Sequence, residues 1–364
     1  MKITNLQIKN FRNYPGLDLA ITSDMVVLSG PNAVGKTNLL ESVYFGSLFK
    51  SFRDDAEFLF LQGTNQAEVK INLERNGQEH LLEVFLEKRD RIYANFKIDG
   101  VKKKRKEAQG YLNVVIFEPT DVDLFTQMPE ARRKYLNMVL SQKSFEYLDN
   151  LARYKKVLTQ KNRLLQDMRA GRASQDAQSS VQSWNEQLVE IGSQIIMERK
   201  NFINFLNQHI SEVYAGISQF QRTIEVVYET IPGDTVEEIQ AEFAAALEKL
   251  GAREAAAGTS LLGPHRDDFD LQSEGIYLVS FSSRGEQRSQ VLALKILELE
   301  YLSKGEDTPI LLLDDVLSEL DDTRRTFLLK YLQGKFQTFI TTTHPLEMVG
   351  QHVTLSPSAQ ETEK

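Results

Sequence analysis

The sequence contains no cysteine among its 364 residues. This absence excludes a disulfide scaffold, a thiolate zinc site, a cysteine nucleophile and an iron–sulfur cluster. No run of apolar residues approaches the length of about 18 that a membrane-spanning helix needs. The first residues, MKITN, lack the apolar stretch of a signal peptide. We therefore expect a soluble, cytoplasmic protein without a membrane partner.

Basic residues are also in deficit, with 43 Lys and Arg against 51 Asp and Glu and a net charge of −8. Such an average argues weakly against a polyanionic partner. The charge is unevenly spread, however. Residues 88–106 and 131–163 each carry nine basic residues and two acids, whereas residues 225–254 carry eight acids and two bases. Each basic segment fits either a solvated surface or a polyanion partner. The two segments together are compatible with a nucleic-acid partner.

The spacing of apolar residues predicts an α/β part at each end of the chain and a helical part between them. A buried strand at 26–28, a helix at 38–49 and three alternating runs after residue 69 indicate an α/β lobe with an antiparallel patch. Heptad-like positions over 147–168 and 184–209 predict two long helices that form an inserted all-α arm. The predicted segments are 1–120 and 259–364 for the α/β lobe and 121–258 for the arm.

Residues 30–37 match the pattern G-x-x-x-x-G-K-[S/T], and they lie between a predicted buried strand and a predicted helix. Glycines let backbone N–H groups turn toward phosphate oxygens, and a helix N-terminus adds a positive dipole. Lys36 would bind the β- and γ-phosphates, and the Thr37 hydroxyl would be a Mg²⁺ ligand. The predicted nucleotide-binding residues are Gly30, Pro31, Asn32, Ala33, Val34, Gly35, Lys36 and Thr37.

Four apolar residues at 310–313 predict a strand buried on both faces, and two aspartates follow it directly. Asp314, at the carboxyl end of this strand, would hold Mg²⁺ through water. Asp315 would orient or deprotonate the water that attacks the γ-phosphate, which makes it a catalytic candidate beside Lys36. The alternative for either aspartate is a structural role as a helix N-cap after a core strand.

Residues 282–286, Ser-Ser-Arg-Gly-Glu, resemble the Leu-Ser-Gly-Gly-Gln signature of ABC-type ATPases. Ser283 and Gly285 match this signature, whereas positions 282, 284 and 286 depart from it. Residues 318–321 resemble the D-loop of the same family. His344, which follows a predicted strand, resembles the family's switch histidine, a catalytic residue that senses the γ-phosphate.

In ABC-type ATPases the signature contacts a nucleotide that is bound to the other subunit. The resemblance therefore implies an ATP-dependent head-to-tail homodimer with two ATP molecules between the protomers. Ser283 and the N–H of Gly285 would contact, in trans, the γ-phosphate held by Lys36. ATP would select the closed dimer, and hydrolysis would release it.

The insertion between Thr37 and Ser283 is longer than in transporter ATPases and resembles the SMC-like branch that works on DNA. Stretches similar to the bacterial RecF family cover nearly the whole chain, at 10–14, 30–37, 117–119, 130–136, 263–268 and 283–288. The stretch Gly-Pro-His-Arg-Asp-Asp at 263–268 is the most specific of them. The implied fold is an ABC/SMC-like P-loop ATPase head with an antiparallel β patch and an inserted all-α arm.

Resemblance to RecF implies a recombination mediator that binds double-stranded or gapped DNA as an ATP-dependent dimer. RecR and RecO are the implied protein partners, together with which it would help to load RecA at single-strand gaps. ATP and Mg²⁺ are the implied cofactors, and hydrolysis is expected to be weak and to act as a switch. Asp315 replaces the longer glutamate of fast ABC ATPases, which is consistent with slow hydrolysis.

The DNA surface is predicted from charge, because Lys and Arg neutralise phosphates without reading the base sequence. The candidate DNA contacts are Lys102, Lys103, Lys104, Arg105, Lys106, Arg132, Arg133, Lys155 and Lys156. Arg132 and Arg133 have a structural alternative, in which they bridge the lobes or contact acids across the dimer. The run at 102–106 has the alternative of a solvated loop.

Two other functions remain open from the sequence. An ABC-type motor whose insertion couples to a protein partner needs no paired basic segments. A structural, SMC-like DNA tether needs long arms, whereas helices of about 25–30 residues span only about 40 Å. Both considerations favour an ATP-switched DNA clamp.

Overall fold

The computed structural model describes residues 1–174, 176–218, 221–303, 307–343 and 349–356. The chain divides into two compact units. The first unit comprises Met1–Asp123, Glu212–Gln221 and Ser283–Lys364, and the second comprises Leu124–Ser211 and Arg222–Ser282.

The two units differ from the predicted segments at several boundaries. Residues 121–123 and 212–221, which the sequence placed in the arm, belong to the first unit. Residues 259–282, which the sequence placed in the α/β lobe, belong to the second unit. The physical reason is strand pairing, because Asp268–Ser273 pairs with Glu225–Glu229 inside that unit.

The described residues form the following strands and helices. The strands are β1 (Lys2–Phe11), β2 (Tyr14–Ala20), β3 (Met25–Ser29), β4 (Gln66–Arg75), β5 (Gln78–Lys88), β6 (Ile92–Ile98), β7 (Val101–Lys103), β8 (Val114–Phe117), β9 (Glu225–Glu229), β10 (Asp268–Ser273), β11 (Ile276–Tyr277), β12 (Ile310–Leu313), β13 (Thr338–Thr342) and β14 (Gln351–Thr354). The helices are α1 (Lys36–Leu48), α2 (Arg105–Ala108), α3 (Pro129–Lys143), α4 (Phe145–Arg169), α5 (Ala177–Ser218), α6 (Val236–Ala257), α7 (Arg284–Leu302) and α8 (Asp322–Leu332).

The first unit is built on a five-stranded parallel sheet with the strand order β14-β3-β13-β12-β8. Every residue of β8 and β12 is buried, which explains their unbroken apolar sequences. Because the strands are parallel, their carboxyl ends share one edge of the sheet. The segment 30–37 leaves β3 at this edge and Asp314 leaves β12 there, as is usual for ligand sites in α/β sheets.

A six-stranded antiparallel sheet, ordered β2-β1-β4-β5-β6-β7, completes the core of the first unit. Asn76-Gly77 and Asp99-Gly100 form two of its tight turns, with φ between +52° and +75° at all four residues, a conformation that suits two-residue hairpin turns. Strands β1 and β2, which pair with each other and through β1 with β4, had not been predicted from the sequence pattern.

Helix α1 lies between these two sheets and contacts β8 and β13 on one side and β1, β4 and β5 on the other. Eleven of its 13 residues are buried, so the helix has no polar face. Gly46 is required by this packing, because a Cβ atom there would collide with the Ile71 side chain. The site at the start of α1 is therefore carried by a helix that is buried over most of its length.

The second unit contains α3, α4, α6, the larger part of α5 and the three-stranded sheet β11-β10-β9. The predicted arm helices are present, but the arm is not helical throughout, because β9 to β11 add a sheet that was not predicted from the sequence. Helix α5 has 42 residues, well beyond the predicted 25–30. No helix of the described residues is long and apolar enough to cross a membrane.

Candidate phosphate-binding site

Two glycines allow the loop between β3 and α1 to fold closely against its neighbours. Gly30 has a φ of +154°, and a Cβ atom there would lie 2.6 Å from the backbone oxygen of Leu355. Gly35 has a φ of +106°, and its Cβ would lie 2.7 Å from Asn13 Nδ2 and 2.9 Å from Tyr14 Oη. Side chains at either position would therefore push the loop away from Leu355 or from the β1–β2 turn.

The Lys36 side chain curls back over the loop at the first residue of α1. Its Nζ donates to the backbone oxygens of Gly30 at 2.8 Å and Pro31 at 3.0 Å. Lys36 is only 4% exposed, so its charge is largely screened from bulk water. The ammonium and the N-terminal N–H groups of α1 thus provide positive charge and donors in one place, which suits an anionic phosphate chain.

Hydroxyl groups from two elements converge on the Asp314 carboxylate. Thr37 Oγ1 donates to Asp314 Oδ1 at 2.9 Å, and Thr341 Oγ1 donates to the same oxygen at 2.8 Å. Asp314 is 8% exposed. A carboxylate and a hydroxyl at this separation are hard oxygen ligands of the kind that Mg²⁺ prefers, so the residues present fit a magnesium ion.

Asp315 is held at the same edge in an unusual backbone conformation, with a φ of +52°. Its N–H donates to Thr341 Oγ1 at 2.8 Å, which fixes the residue beside Asp314. Burial and the neighbouring Asp314 carboxylate raise the pKa of Asp315, while Lys36 opposes the shift. A residue with these features can act on a water molecule near the bound phosphates.

The turn between β1 and β2 braces the phosphate loop, a contact that the sequence did not reveal. Tyr14 Oη donates to the Gly35 backbone oxygen at 3.1 Å, and Asn13 Nδ2 donates to the Val34 oxygen at 3.3 Å. Asn38 of α1 donates in turn to Asn13 Oδ1 at 2.7 Å. The only sequence signal for this contact was the family-like stretch at 10–14.

Arg12, in the same turn, is bound to α1 by a bidentate pair with Glu41, at 2.6 and 2.7 Å. Glu41 is fully buried and also accepts from Arg53 at 2.7 Å. Burial opposes the Glu41 charge, but hydrogen bonds from Arg12, Ser51 and Arg53 outweigh it and keep the Glu41 pKa below its usual value. Arg12 therefore anchors the turn to the helix that starts the site.

The residue after β8, Glu118, is a further carboxylate near Asp314. The N–H of Asp314 donates to the Phe117 backbone oxygen at 3.0 Å, which places the ends of β8 and β12 side by side. Burial, followed by the charges of Asp121 and Asp314, raises the pKa of Glu118 to about 7, although Lys295 acts in the opposite direction. The sequence had not assigned a role to Glu118.

Ser283 and Gly285 begin α7, and Ser283 is its N-cap. The Ser283 hydroxyl accepts from the Glu286 N–H at 3.3 Å, and the Glu286 carboxylate accepts from the Ser283 N–H at 2.9 Å. Ser283 is exposed, and no hydrogen bond joins Ser283 or Gly285 to residues 30–37 within the described part of the chain. The structure thus unites Lys36, Thr37, Asp314 and Asp315 but not these two residues. His344 lies outside the described residues.

The basic run at 102–106 occupies the edge of the antiparallel sheet and the short helix α2. Lys102, Lys104 and Lys106 are exposed, whereas Lys103 is half-buried. Arg105 donates to the Leu48 backbone oxygen at 3.3 Å. Register adds a residue that the prediction had left out, since exposed Lys97 of β6 lies directly opposite Lys102 of β7.

Arg132 and Arg133 instead make hydrogen bonds within the second unit. Arg132 is 6% exposed and forms a bidentate pair with Asp268, with both distances 2.7 Å. Arg133 donates to the Asp267 backbone oxygen at 2.8 Å. These contacts give both residues a structural role, although they lie within one unit rather than between lobes or across a dimer, as the alternative had it.

The Gly-Pro-His-Arg-Asp-Asp stretch forms the centre of a buried polar network in the second unit. Arg199, which is 1% exposed, donates to Asp267 Oδ2 at 3.1 Å and to the Pro264 backbone oxygen at 2.7 Å. Tyr154 and His265 share a 2.9 Å hydrogen bond. This stretch is therefore a structural element of the arm, and it ties α3, α4 and α5 to β10.

Comparison with known proteins places the chain in one family. The model of the RecF/RecN/SMC N terminal domain matches residues 2–363. The DNA replication and repair protein RecF of Bacillus mycoides (strain KBAB4) is 37% identical over 353 residues, which cover 94% of this chain and 92% of that protein.

Solved structures agree with this placement. A structure of the recombination mediator protein RecF-ATPrS in the RecFOR pathway superposes with a TM-score of 0.90 at 30% identity, covering 98% of this chain and 96% of the other. The Smc head domain from Pyrococcus furiosus, at 15% identity and a TM-score of 0.53 with 94% and 89% coverage, shares the fold. The predicted α/β ATPase-head fold is confirmed, and the chain belongs to the RecF family.

Proposed function

We propose that this chain is an ATP-dependent DNA-binding recombination mediator that acts in recombinational repair and replication-fork maintenance. The observation that carries the proposal is the convergence of Lys36, Thr37 and Asp314 at the carboxyl edge of the parallel sheet. Related RecF proteins are named for DNA replication and repair, and related structures were solved with ATP or ATPrS.

In this proposal ATP binds along residues 30–37, with Lys36 on its phosphate oxygens. Thr37 and Asp314 hold Mg²⁺, which neutralises negative charge on the phosphates when it is bound. Asp315 orients the attacking water, and His344 senses the γ-phosphate. Hydrolysis is weak because the Asp315 side chain is short and its backbone is fixed by Thr341.

ATP drives a head-to-tail homodimer in which Ser283 and Gly285 meet the nucleotide of the second copy. Their place at the exposed N-terminus of a 19-residue helix supports this role, because the first N–H groups of a helix and its dipole attract a phosphate. Hydrolysis removes the contact and opens the dimer.

The dimer binds double-stranded or gapped DNA through phosphate contacts. The exposed lysines Lys97, Lys102, Lys104 and Lys106 are the best-supported surface, because they cluster at one sheet edge. Together with RecR and RecO, the bound dimer helps to load RecA at single-strand gaps. Slow ATP hydrolysis limits how long it stays.

The test is fluorescence anisotropy of a labelled gapped duplex, with and without ATP and Mg²⁺, over a series of salt concentrations. ATP-dependent binding whose logarithm falls linearly with the logarithm of salt supports the proposal. Lys36→Ala and Ser283→Ala should each abolish the ATP dependence. Absence of DNA binding at low salt with ATP present would refute the DNA clamp and favour a motor coupled to a protein partner.

A further inference from the structure

The middle of α7 contains a buried ammonium group. Lys295 is 4% exposed, and its Nζ lies 3.5 Å from Asp121 and 3.7 Å from Glu298, whose side chain is fully buried. Burial alone would lower the Lys295 pKa, but the nearby carboxylates of Asp121, Glu298 and Glu118 outweigh burial and raise it. Lys295 is therefore a stable positive charge inside the first unit.

The partner Asp121 belongs to the turn that follows β8, and it shapes that turn. Its carboxylate accepts from the Glu118 N–H at 2.8 Å, and its own N–H donates to the Glu118 backbone oxygen at 3.0 Å. Glu118 directly follows Phe117, whose oxygen pairs with the N–H of Asp314. Lys295 thus holds a turn that is continuous with the edge carrying Asp314.

A second ion pair fastens the same turn to the beginning of α7. Arg284, the first residue of α7, lies 2.6 Å from Asp123 through its Nη1. Arg284 and Lys295 are eleven residues apart, which is about 16 Å along the helix. The turn is therefore attached to α7 at two separate points, one next to Ser283 and one three turns further on.

The helix of the phosphate loop reaches the same cluster. Tyr44 of α1 is 3% exposed, and burial together with the charges of Glu298, Glu118 and Asp121 raises its pKa. The charged groups belong to the turn after β8 and to α7, and their negative charge disfavours ionisation of Tyr44 in α1. Burying several charges is costly unless they are paired, so such a cluster resists small displacements of one element alone.

We propose that Lys295 and Asp121 form a coupling pair that transmits the position of the signature helix α7 to the Glu118–Asp314 edge of the phosphate site. Lys295 is a positioning residue, because it acts through Asp121 and does not touch the nucleotide. When Ser283 and Gly285 engage a nucleotide, α7 shifts as a rigid rod, and the pair moves the turn with it. This inference rests on the proposed ATPase function of the same site.

The test compares ATP turnover by the wild type, Lys295→Met, Asp121→Asn and the double variant at saturating DNA. We expect each single change to lower kcat about tenfold with KM within about twofold, because residues 30–37 are untouched. The double variant should lose no more than either single variant, since the two residues act as one unit. Lys295→Arg, which keeps the charge, should retain most of the turnover.

Lys161→Met is the matched control for loss of a buried ion pair. Lys161 lies 2.6 Å from Glu254 in the second unit, and both side chains are at most 1% exposed. The Lys161→Met variant should lose as much thermal stability as Lys295→Met but keep wild-type kcat. Equal loss of kcat in both variants, or additive losses in the double variant, would overturn the coupling.

Hydrogen exchange with a non-hydrolysed ATP analogue tests the same coupling without turnover. In the wild type, the analogue should protect the amides of 30–37, of 119–123 and of the start of α7. In Lys295→Met, protection of 119–123 should disappear while that of 30–37 stays, and unchanged protection would contradict the coupling. A wild type that binds no analogue would instead remove the proposed function itself, and the coupling with it.

Discussion

Thr37 and Asp314 lie 277 positions apart in the chain, and the Thr37 hydroxyl donates a 2.9 Å hydrogen bond to the Asp314 carboxylate. The contact joins the first turn of α1 to the end of β12. The same carboxylate oxygen accepts from Thr341 Oγ1 at 2.8 Å, so the end of β13 also takes part. The meeting of Thr37 and Asp314 gives a pair of oxygen ligands at the place where the phosphate loop ends.

Asp314→Asn should remove the negative ligand and lower Mg²⁺-dependent ATP hydrolysis by about 100-fold or more. Binding of an ATP analogue without Mg²⁺ should change little, because Lys36 and the loop remain intact. Phosphate release and equilibrium binding measure the two effects. Asp322→Asn, at an aspartate whose side chain is 93% exposed, is the control and should behave as the wild type. Wild-type hydrolysis by Asp314→Asn would rule out its magnesium role.

Gly35→Ala should weaken ATP binding about tenfold or more, because the new Cβ would push Asn13 and Tyr14 away from the loop. A matched control is Gly77→Ala in the β4–β5 turn, where φ is +71° and no atom lies within 4 Å. That change carries backbone strain without crowding. Calorimetric titration with an ATP analogue compares them, and equal affinities would show that the braced loop does not matter for binding.

Replacing Lys97, Lys102 and Lys104 together by alanine should weaken DNA binding by the same factor whatever the base sequence of the DNA. The slope of log affinity against log salt should decrease by about 0.9 for each DNA phosphate that the variant no longer neutralises. The comparison is Lys155→Ala with Lys156→Ala, two exposed lysines of α4 that the sequence also suggested. If only this second pair reduces the slope, the DNA surface lies on the arm and the sheet edge is a solvated surface.

Stability should fall as pH is lowered from about 6.5 to about 4, in part because of His265. Burial lowers the pKa of His265 to about 4, against an ordinary value of 6.5. Between these values the unfolded chain binds the proton and the folded chain does not, so the contribution is complete above pH 6.5 and is lost toward pH 4. The expected loss is roughly 3 kcal/mol.

Urea unfolding at a series of pH values, for the wild type and for His265→Gln, measures this contribution as a difference between the two curves. Other titrating groups, such as the buried Asp267, affect both proteins and cancel in that difference. The wild type should lose more stability on acidification than His265→Gln does. Parallel curves would show that His265 is protonated equally in the folded and unfolded chains.

The local elements of the site were open to prediction from sequence alone. Residues 30–37 and the apolar strand 310–313 are specified by neighbouring residues, because glycine positions, helix starts and unbroken apolar runs act over a few residues. The turn at Asn76-Gly77 also follows from neighbouring residues, since this dipeptide favours a positive φ.

Charge alone, by contrast, did not distinguish buried basic residues from exposed ones. Arg132 and Lys104 belong to similar basic segments, yet Arg132 is buried against Asp268 while Lys104 is exposed. Sequence shows that a residue is charged but not which acid lies beside it, because that acid is 136 positions away. The neighbour of Lys102 was hidden for the same reason, since only the pairing of β6 and β7 brings Lys97 opposite it.

The sequence by itself therefore determined the phosphate loop, the order of the motifs and the helical character of the arm, because each depends on short-range patterns. Only the tertiary structure decided that Thr37 donates directly to the Asp314 carboxylate, that the β1–β2 turn contacts Gly35, and that Lys295 joins α7 to the turn after β8. Those contacts depend on the packing of α1 between two sheets and on the order of parallel strands. Such packing is set by long-range burial of apolar surface, which no local pattern encodes.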